Sequence, residues 1–390
     1  MSSSPRIYLD NAATTWPKPQ SVYEAAEHYL RNIGAPNGRS AYREAIASNR
    51  IVERARQGVA QLIGAADSRE IVFGFSGTDV LNLAIHGLVR PGDHVITTVC
   101  DHNSVLRPLR ALHETANVDV SYVPCDGQGF ISPDDVRAAL RPNTRLVAMV
   151  HASNVTGAIQ PAAEVARIVR ESNAYMLLDA AQSLGHVSID VRSLDVDLLA
   201  APGHKGLLAP LGTGVLYIRK GVEAELRPLR YGGTGTQSEE DRQPDVLPEK
   251  YEPGNHNLVG LAGMVASTEY LRDETVEAVE SHHRRVTVRL LEGLEDIGGV
   301  TIHGPRLAGD RTSVVSISVD GYDPQELGAV LEASHGIQAR AGLHCAPRMH
   351  ATLGTTERGG TLRFSAGFAT TVEEIDEVIA AMGEIAAVAT

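Results

Sequence analysis

At 390 residues the chain exceeds what one hydrophobic core usually supports, so two packed units, or one large α/β unit with a satellite, are expected. Its 43% hydrophobic and 21% charged residues belong to the globular range and exclude a disordered or fibrous class. The formal net charge of -13 excludes a broad nucleic-acid-binding face, which needs clustered cations to displace counterions from phosphates.

The opening "MSSSPRIYLDNAATT" has neither a charged n-region nor an apolar h-region, and no apolar run reaches the length of a membrane span. A cytoplasmic location without a membrane partner is therefore expected. From "EIVFGF" onward, β-branched runs ("HVITTV", "VSYVPC", "RLVAMVHA", "YMLLDA", "GVLYIR") alternate with helical-period segments ("DVLNLAIHGLV", "VLRPLRALHET", "PAAEVARIVRES"). Such alternation predicts an α/β class with a mostly parallel central sheet flanked by helices. In "SPDDVRAAL", Ser132 is expected to N-cap a helix with Pro133 at its first position.

Residues 231–257 are rich in Gly, Pro and polar side chains and predict a long loop with a functional role. Residues 258–294 then read as one long helix bridging two lobes. "VTIHG", "SVVSISV" and "LRFSAG" follow as strands around the helix "DPQELGAVLEASHG", and a final helix opens on a capping box at Thr371 and Glu374. The expected division is a large domain over 15–270 and a small C-terminal α+β domain over 271–390, with 1–14 packing on the small one.

Three stretches carry chemistry. Asp179 ends an apolar strand in "YMLLDAAQSLGH", at the sheet edge where open α/β sheets bind ligands, although an Asp there also serves as an ordinary cap. Lys205 follows the short apolar run "DLLAAPGHKG", where desolvation can lower its pKa; a lysine in a turn is more often simply solvated. "GFSGTDVLNLAIHGL" joins a strand to a helix N-terminus through small residues, where N–H groups and the Thr78 hydroxyl can meet an anion. Asp, Lys and an anion cradle together are what pyridoxal 5'-phosphate requires. The carboxylate keeps the pyridine nitrogen protonated and the lysine holds the aldehyde.

The three cysteines, Cys100, Cys125 and Cys345, are odd in number and far apart, as suits a reducing compartment. Cys100 and Cys125 sit in apolar surroundings typical of inert thiols. Cys345, in "RAGLHCAPRMH", lies between histidines and arginines on a Gly/Pro-broken stretch, which predicts an exposed electropositive loop favouring the thiolate. A metal site built on His344, Cys345 and His350 lacks a second ligand cluster, so none is expected.

Taken jointly, "YLDNAATT", "SGTDVLNLA", "DHNS", "SNVTGAIQP", "DAAQSLGH", "GHKG" and "RAGLHCAP" resemble, in order and over nearly the whole chain, the cysteine desulfurase and selenocysteine lyase group. That group lies within the class V aminotransferase-like, fold-type I pyridoxal-phosphate enzymes. The brief span from Cys345 to Arg363 is similar to its short-loop branch. The resemblance implies that Lys205 bears the cofactor and moves protons at the substrate Cα. It implies that His102 stacks on the pyridine ring, that Asp179 pairs with the ring nitrogen and that Gln182 reaches the phenolic oxygen. Gly77, Thr78 and His204 would hold the phosphate, and Asn154 and Arg363 the substrate carboxylate, with Arg39 at the entrance. Cys345 would take the sulfur of L-cysteine or a related amino acid as a persulfide and pass it to an acceptor protein or small molecule.

A homodimer is also implied, in which the loop around Asn255 reaches the neighbouring subunit's phosphate. Two positions depart from the group's pattern: Pro202 replaces a hydroxyl residue and Asn255 a threonine. The alternatives are selenocysteine lyase, a pathway-specific C–S lyase or sulfurtransferase, an aminotransferase of the same class, and a non-enzymatic scaffold.

Overall fold

The computed structural model describes residues 6–235 and 239–389. A short strand β1 (Ile7–Tyr8) precedes seven strands that form one sheet: β2 (Ile71–Gly74), β3 (His94–Thr98), β4 (Asp119–Val123), β5 (Thr144–Val150), β6 (Tyr175–Asp179), β7 (Leu198–Pro202) and β8 (Gly214–Ile218). Their order is β2-β8-β7-β6-β5-β3-β4, and β8 alone runs against its neighbours. The sheet is buried on both faces because successive side chains point to opposite sides. Ile96, Val147, Leu178 and Leu199 join one apolar core, and Val95, Leu146, Leu177 and Leu198 join another. This explains why these strands read as unbroken apolar runs rather than as alternating ones.

A second, antiparallel sheet of four strands follows, built from β9 (Val300–His303), β10 (Val314–Val319), β12 (Arg340–Gly342) and β13 (Thr361–Ser365) in the order β12-β13-β10-β9. Its core gathers Val315, Ile317, Phe364, Leu290 and Ile375, and Ile7 and Leu9 from the N-terminus enter the same cluster. β1 pairs in parallel with β11 (Ile337–Gln338), which holds the N-terminal segment there. The capping box at the last helix is formed: Thr371 N–H donates to Glu374 at 2.9 Å and Glu374 N–H to Thr371 Oγ1 at 3.2 Å. Among the described residues no helix is long and apolar enough to cross a membrane.

Two expectations need correction. Residues 258–294 are not one helix but two, Leu258–Glu274 and Val276–Glu295, meeting at Thr275 with φ 64° and ψ 142°. That backbone leaves helical space, and the Thr275 hydroxyl accepts from Ala278 N–H to cap the second helix. The apolar period runs through the break because both helices bury a face, so periodicity alone does not reveal it. Ser132 takes the N-cap position of Pro133–Ala139, but its side chain makes no cap hydrogen bond. Helices Gln20–His28 and Arg43–Leu62 pack on Leu258–Glu274.

Candidate active site

Parallel strands end on one edge, so the residues that follow them converge whatever their separation in sequence. Here the ends of β3, β5, β6 and β7 deliver His102, Asn154, Asp179 and Lys205 to one cavity of about 240 Å³. Gly77 and Thr78, from the first turn of Gly77–Leu88, line it too, with Gln182, His204, Cys345 and Arg363. Asn255 and Arg39 are not among its walls. Asn255 is exposed and borders a separate groove with Phe75, Arg230 and His256, while Arg39 lies on the surface 3.8 Å from Glu239.

Asp179 is buried, and one carboxylate oxygen accepts Ala181 N–H at 2.9 Å. Burial raises its pKa, opposed by that bond and by the charge of Lys205. Burial also lowers Lys205 to about 8, against the pull of Asp179. About a tenth of the amine is therefore uncharged at pH 7, far more than for an ordinary lysine, and attack on a carbonyl requires that form. His102 begins the helix Asn103–Ala116 as its N-cap, accepting Ser104 N–H through Nδ1 at 3.0 Å. Burial first, and then Lys205, push it down to about 4, so the ring is neutral at pH 7. Gln182 donates through Nε2 to Ala12 O at 2.9 Å.

Arg363 is 2% exposed; it donates to Asn154 O at 3.1 Å and to Asp10 Oδ1 at 2.9 Å. Its Nε and the Asn154 Oδ1 are buried without a hydrogen-bond partner among the described residues. Orphaned polar atoms of this kind cost free energy unless a ligand satisfies them.

Cys345 is exposed, as its flanking residues lead one to expect. Its neighbour is not. His344 is buried, bonded through Nε2 to Thr361 Oγ1 at 3.0 Å, and burial drives its pKa down to about 2. It is therefore neutral and does not add to the positive surroundings expected of it. The cations there are Arg340, which lines the cavity, and Arg348, which stacks 3.6 Å over the Tyr122 ring. His344 and Cys345 both have left-handed φ, 48° and 57°, which non-glycine residues adopt at a cost. The turn is held because Asn154 Nδ2 donates to His344 O at 2.5 Å and Asn103 N–H to Cys345 O at 2.8 Å. This clamp projects the thiol from an ordered loop.

Sequence reasoning missed three residues. Asp10, carried in by β1, pairs with Arg363. Ser104 places its hydroxyl 2.7 Å from Thr78 Oγ1 at the cavity wall, where the serine of "DHNS" was the available signal. Asp101 lies behind the wall, fully buried. Its Oδ2 accepts Thr98 N–H at 2.7 Å and the hydroxyls of Thr97 and Thr98 at 2.8 Å each, and its Oδ1 has no partner among the described residues.

Burial raises Asp101 from 3.8 to about 7, its hydrogen bonds oppose this, and the charge of Asp179 adds to it. The folded state thus holds a proton that the unfolded state has released, so this group's contribution to stability declines as pH rises through about 7. In Asp101→Asn the side chain stays neutral throughout. The Tm of the variant minus that of the parent is expected to rise by about 1–3 °C between pH 5 and 8 and then level off. Differential scanning calorimetry across that range checks it, and a constant difference would mean Asp101 is ionised throughout.

The donor set fits pyridoxal 5'-phosphate. A helix N-terminus with Gly77, two adjacent hydroxyls and the Nδ1 of His204, which has no partner among the described residues, face the same space as a buried carboxylate and a lysine of lowered pKa. A Cβ on Gly77 would lie 3.0 Å from Pro202 Cδ, so any larger residue there would crowd the cradle. Pro202 itself offers no hydroxyl; Ser104 supplies one beside Thr78.

The family model described as aminotransferase class-V matches residues 7–378. Over 97% of this chain and 94% of the relative, the sequence is 36% identical to a probable cysteine desulfurase of Methanothermobacter thermautotrophicus. The fold is similar to the apo structure of a cysteine desulfurase from Thermococcus onnurineus, with TM-score 0.91 and 32% identity over 98% of this chain and 95% of that one. It is also similar to a cysteine desulfurase from Escherichia coli in its S-sulfonic acid form, with TM-score 0.87, 28% identity and coverage of 98% and 95%.

Proposed function

The chain belongs to the aminotransferase class-V family, and on that premise we propose that it is a pyridoxal 5'-phosphate-dependent cysteine desulfurase that converts L-cysteine to L-alanine. The observation that carries this reading is one cavity lined by both Lys205, with its lowered pKa, and the exposed thiol of Cys345. Bound pyridoxal 5'-phosphate supplies an electron sink that makes the Cβ–S bond of an attached amino acid labile.

Lys205 would hold the cofactor through its aldehyde and would move the proton at the substrate Cα. Asp179 would pair with the ring nitrogen, His102 would stack on the ring and Gln182 would reach the phenolic oxygen. The N–H of Gly77, the hydroxyls of Thr78 and Ser104, and His204 would hold the phosphate. Arg363 receives the substrate carboxylate on its orphaned Nε and Asn154 joins it through its Nδ2 amide, while the orphaned Asn154 Oδ1, an acceptor, is left to take a substrate N–H. The Cys345 thiolate attacks the substrate sulfur, so an S–S bond forms as the Cβ–S bond breaks. The electron pair of that bond stays with the carbon, which takes a proton to become alanine.

Arg363→Lys removes the planar fork while keeping the charge. We expect kcat/KM for L-cysteine to fall by about 10- to 100-fold, mainly through KM, because hydrogen bonds to a charged group are lost. Steady-state alanine assays check this, and an unchanged KM would place the carboxylate elsewhere.

The function itself is tested by incubating the holoenzyme with L-cysteine and a thiol reductant and quantifying products. Equal alanine and sulfide support desulfuration; pyruvate with ammonia would establish β-elimination instead. Sulfur leaves Cys345 for an acceptor protein or small molecule, and Asn255 is proposed to reach the phosphate of a second subunit in a homodimer.

A further inference from the structure

Two thiols that the proposed chemistry does not use lie side by side behind the cavity wall. The β3–β4 ladder ends with Thr98 opposite Val123, where Val99 N–H donates to Val123 O at 3.0 Å, and Cys100 and Cys125 each stand two residues beyond that pair. Neighbouring strands lie about 4.8 Å apart, inside the roughly 4.4–6.8 Å between Cα atoms that a disulfide spans. The Cys100 thiol donates to Gly129 O at 3.6 Å, and the Cys100 and Cys125 side chains lie close enough to perturb one another. The influence of Cys125, helped by burial, pushes Cys100 up, and that of Cys100 pushes Cys125 down. Cys100 is fully buried and Cys125 only half-buried, so Cys125 is the sulfur open to a small oxidant.

The pair is linked to the Cys345 loop by two routes, one along the chain and one by contact. Cys100 stands three residues before Asn103, whose N–H holds Cys345 O, and Cys125 Sγ lies 3.8 Å from Met349 Sδ in the helix Pro347–Thr352 that follows Cys345.

We propose that Cys100 and Cys125 form a thiol–disulfide site oxidised by hydroperoxides. The Cys125 thiolate attacks the peroxide oxygen, the O–O bond breaks, and water or an alcohol leaves as a sulfenic acid forms. The Cys100 sulfur then attacks that sulfur, its proton leaves with the displaced hydroxyl as a second water, and the S–S bond closes. The two thiols lose two electrons and the peroxide gains them. Closing the bond draws Cys125 Sγ away from Met349, so the oxidation state of the pair is transmitted to the helix behind Cys345. The inference does not depend on the desulfurase reading, because both thiols lie outside the residues assigned to that reaction.

The test uses the holoenzyme of Cys345→Ser, which removes the exposed competing thiol. After treatment with hydrogen peroxide, denaturation and alkylation, intact mass spectrometry is expected to show a loss of about 2 Da and no alkylation, both reversed by dithiothreitol. Peptide mapping is expected to find Cys100 joined to Cys125. The double variant Cys125→Ala, Cys345→Ser is expected to keep its Cys100 thiol alkylatable. The proposal is overturned if both thiols remain alkylatable after peroxide, or if Cys125 gains oxygen atoms while Cys100 stays free.

Discussion

Lys205→Ala is expected to abolish turnover of L-cysteine, with alanine formation falling by at least about 10³-fold. Two roles vanish together, the covalent anchor and the base at the substrate Cα, and functions carried by one group do not fail additively. The side chain is only partly buried and its Nζ is used by no capping or ladder bond, so the fold is expected to survive. Borohydride reduction of the parent holoenzyme should attach the cofactor to the peptide containing Lys205, and the variant should show no such label. A variant that keeps more than about a tenth of the parent rate would remove Lys205 from the chemistry.

Cys345→Ser is expected to be nearly as damaging, by about 10³-fold or more in alanine formed from L-cysteine. A serine hydroxyl is a far weaker nucleophile toward sulfur than a thiolate and cannot store a persulfide. The variant should nevertheless retain the roughly 420 nm absorbance of lysine-bound cofactor, because Cys345 is exposed and its backbone carbonyl still receives Asn103 N–H. The two variants therefore separate cleanly: one loses chromophore and activity, the other activity alone. Alanine release at the parent rate by Cys345→Ser would show that sulfur departs without this thiol.

Much of the fold was legible because buried parallel strands must be apolar throughout and the helices between them must carry a 3.6-residue period. The break at Thr275 was not, since buried apolar residues run on without interruption from Leu258–Glu274, which enters the large core, into Val276–Glu295, most of which packs into the small one. At the site, legibility followed the same division. Asp179 and Lys205 announce themselves by standing at the ends of apolar runs, where a charged group in a doubly covered sheet has only the ligand edge to occupy. Asp10 gives no such signal: its place beside Arg363 depends on β1 pairing with β11, a contact between opposite ends of the chain.

His344 shows how a residue type misleads when its burial is unknown. Next to Arg340 and Arg348 in sequence it reads as part of a cationic cluster, yet desolvation holds it neutral and Thr361 takes its ring nitrogen. Ser104 is the reverse case, an ordinary helix-start serine until Thr78 is brought to 2.7 Å from it.

The sequence by itself determined which chemical groups are available and on which strand ends they stand, because covalent order and hydrophobic periodicity are local. The tertiary structure alone decided which of them are desolvated, which are paired and which polar atoms are left open. Dielectric surroundings and hydrogen-bond partners come from residues remote in the chain. The lowered pKa of Lys205, the neutral His344 and the left-handed turn that presents Cys345 all depend on such remote partners.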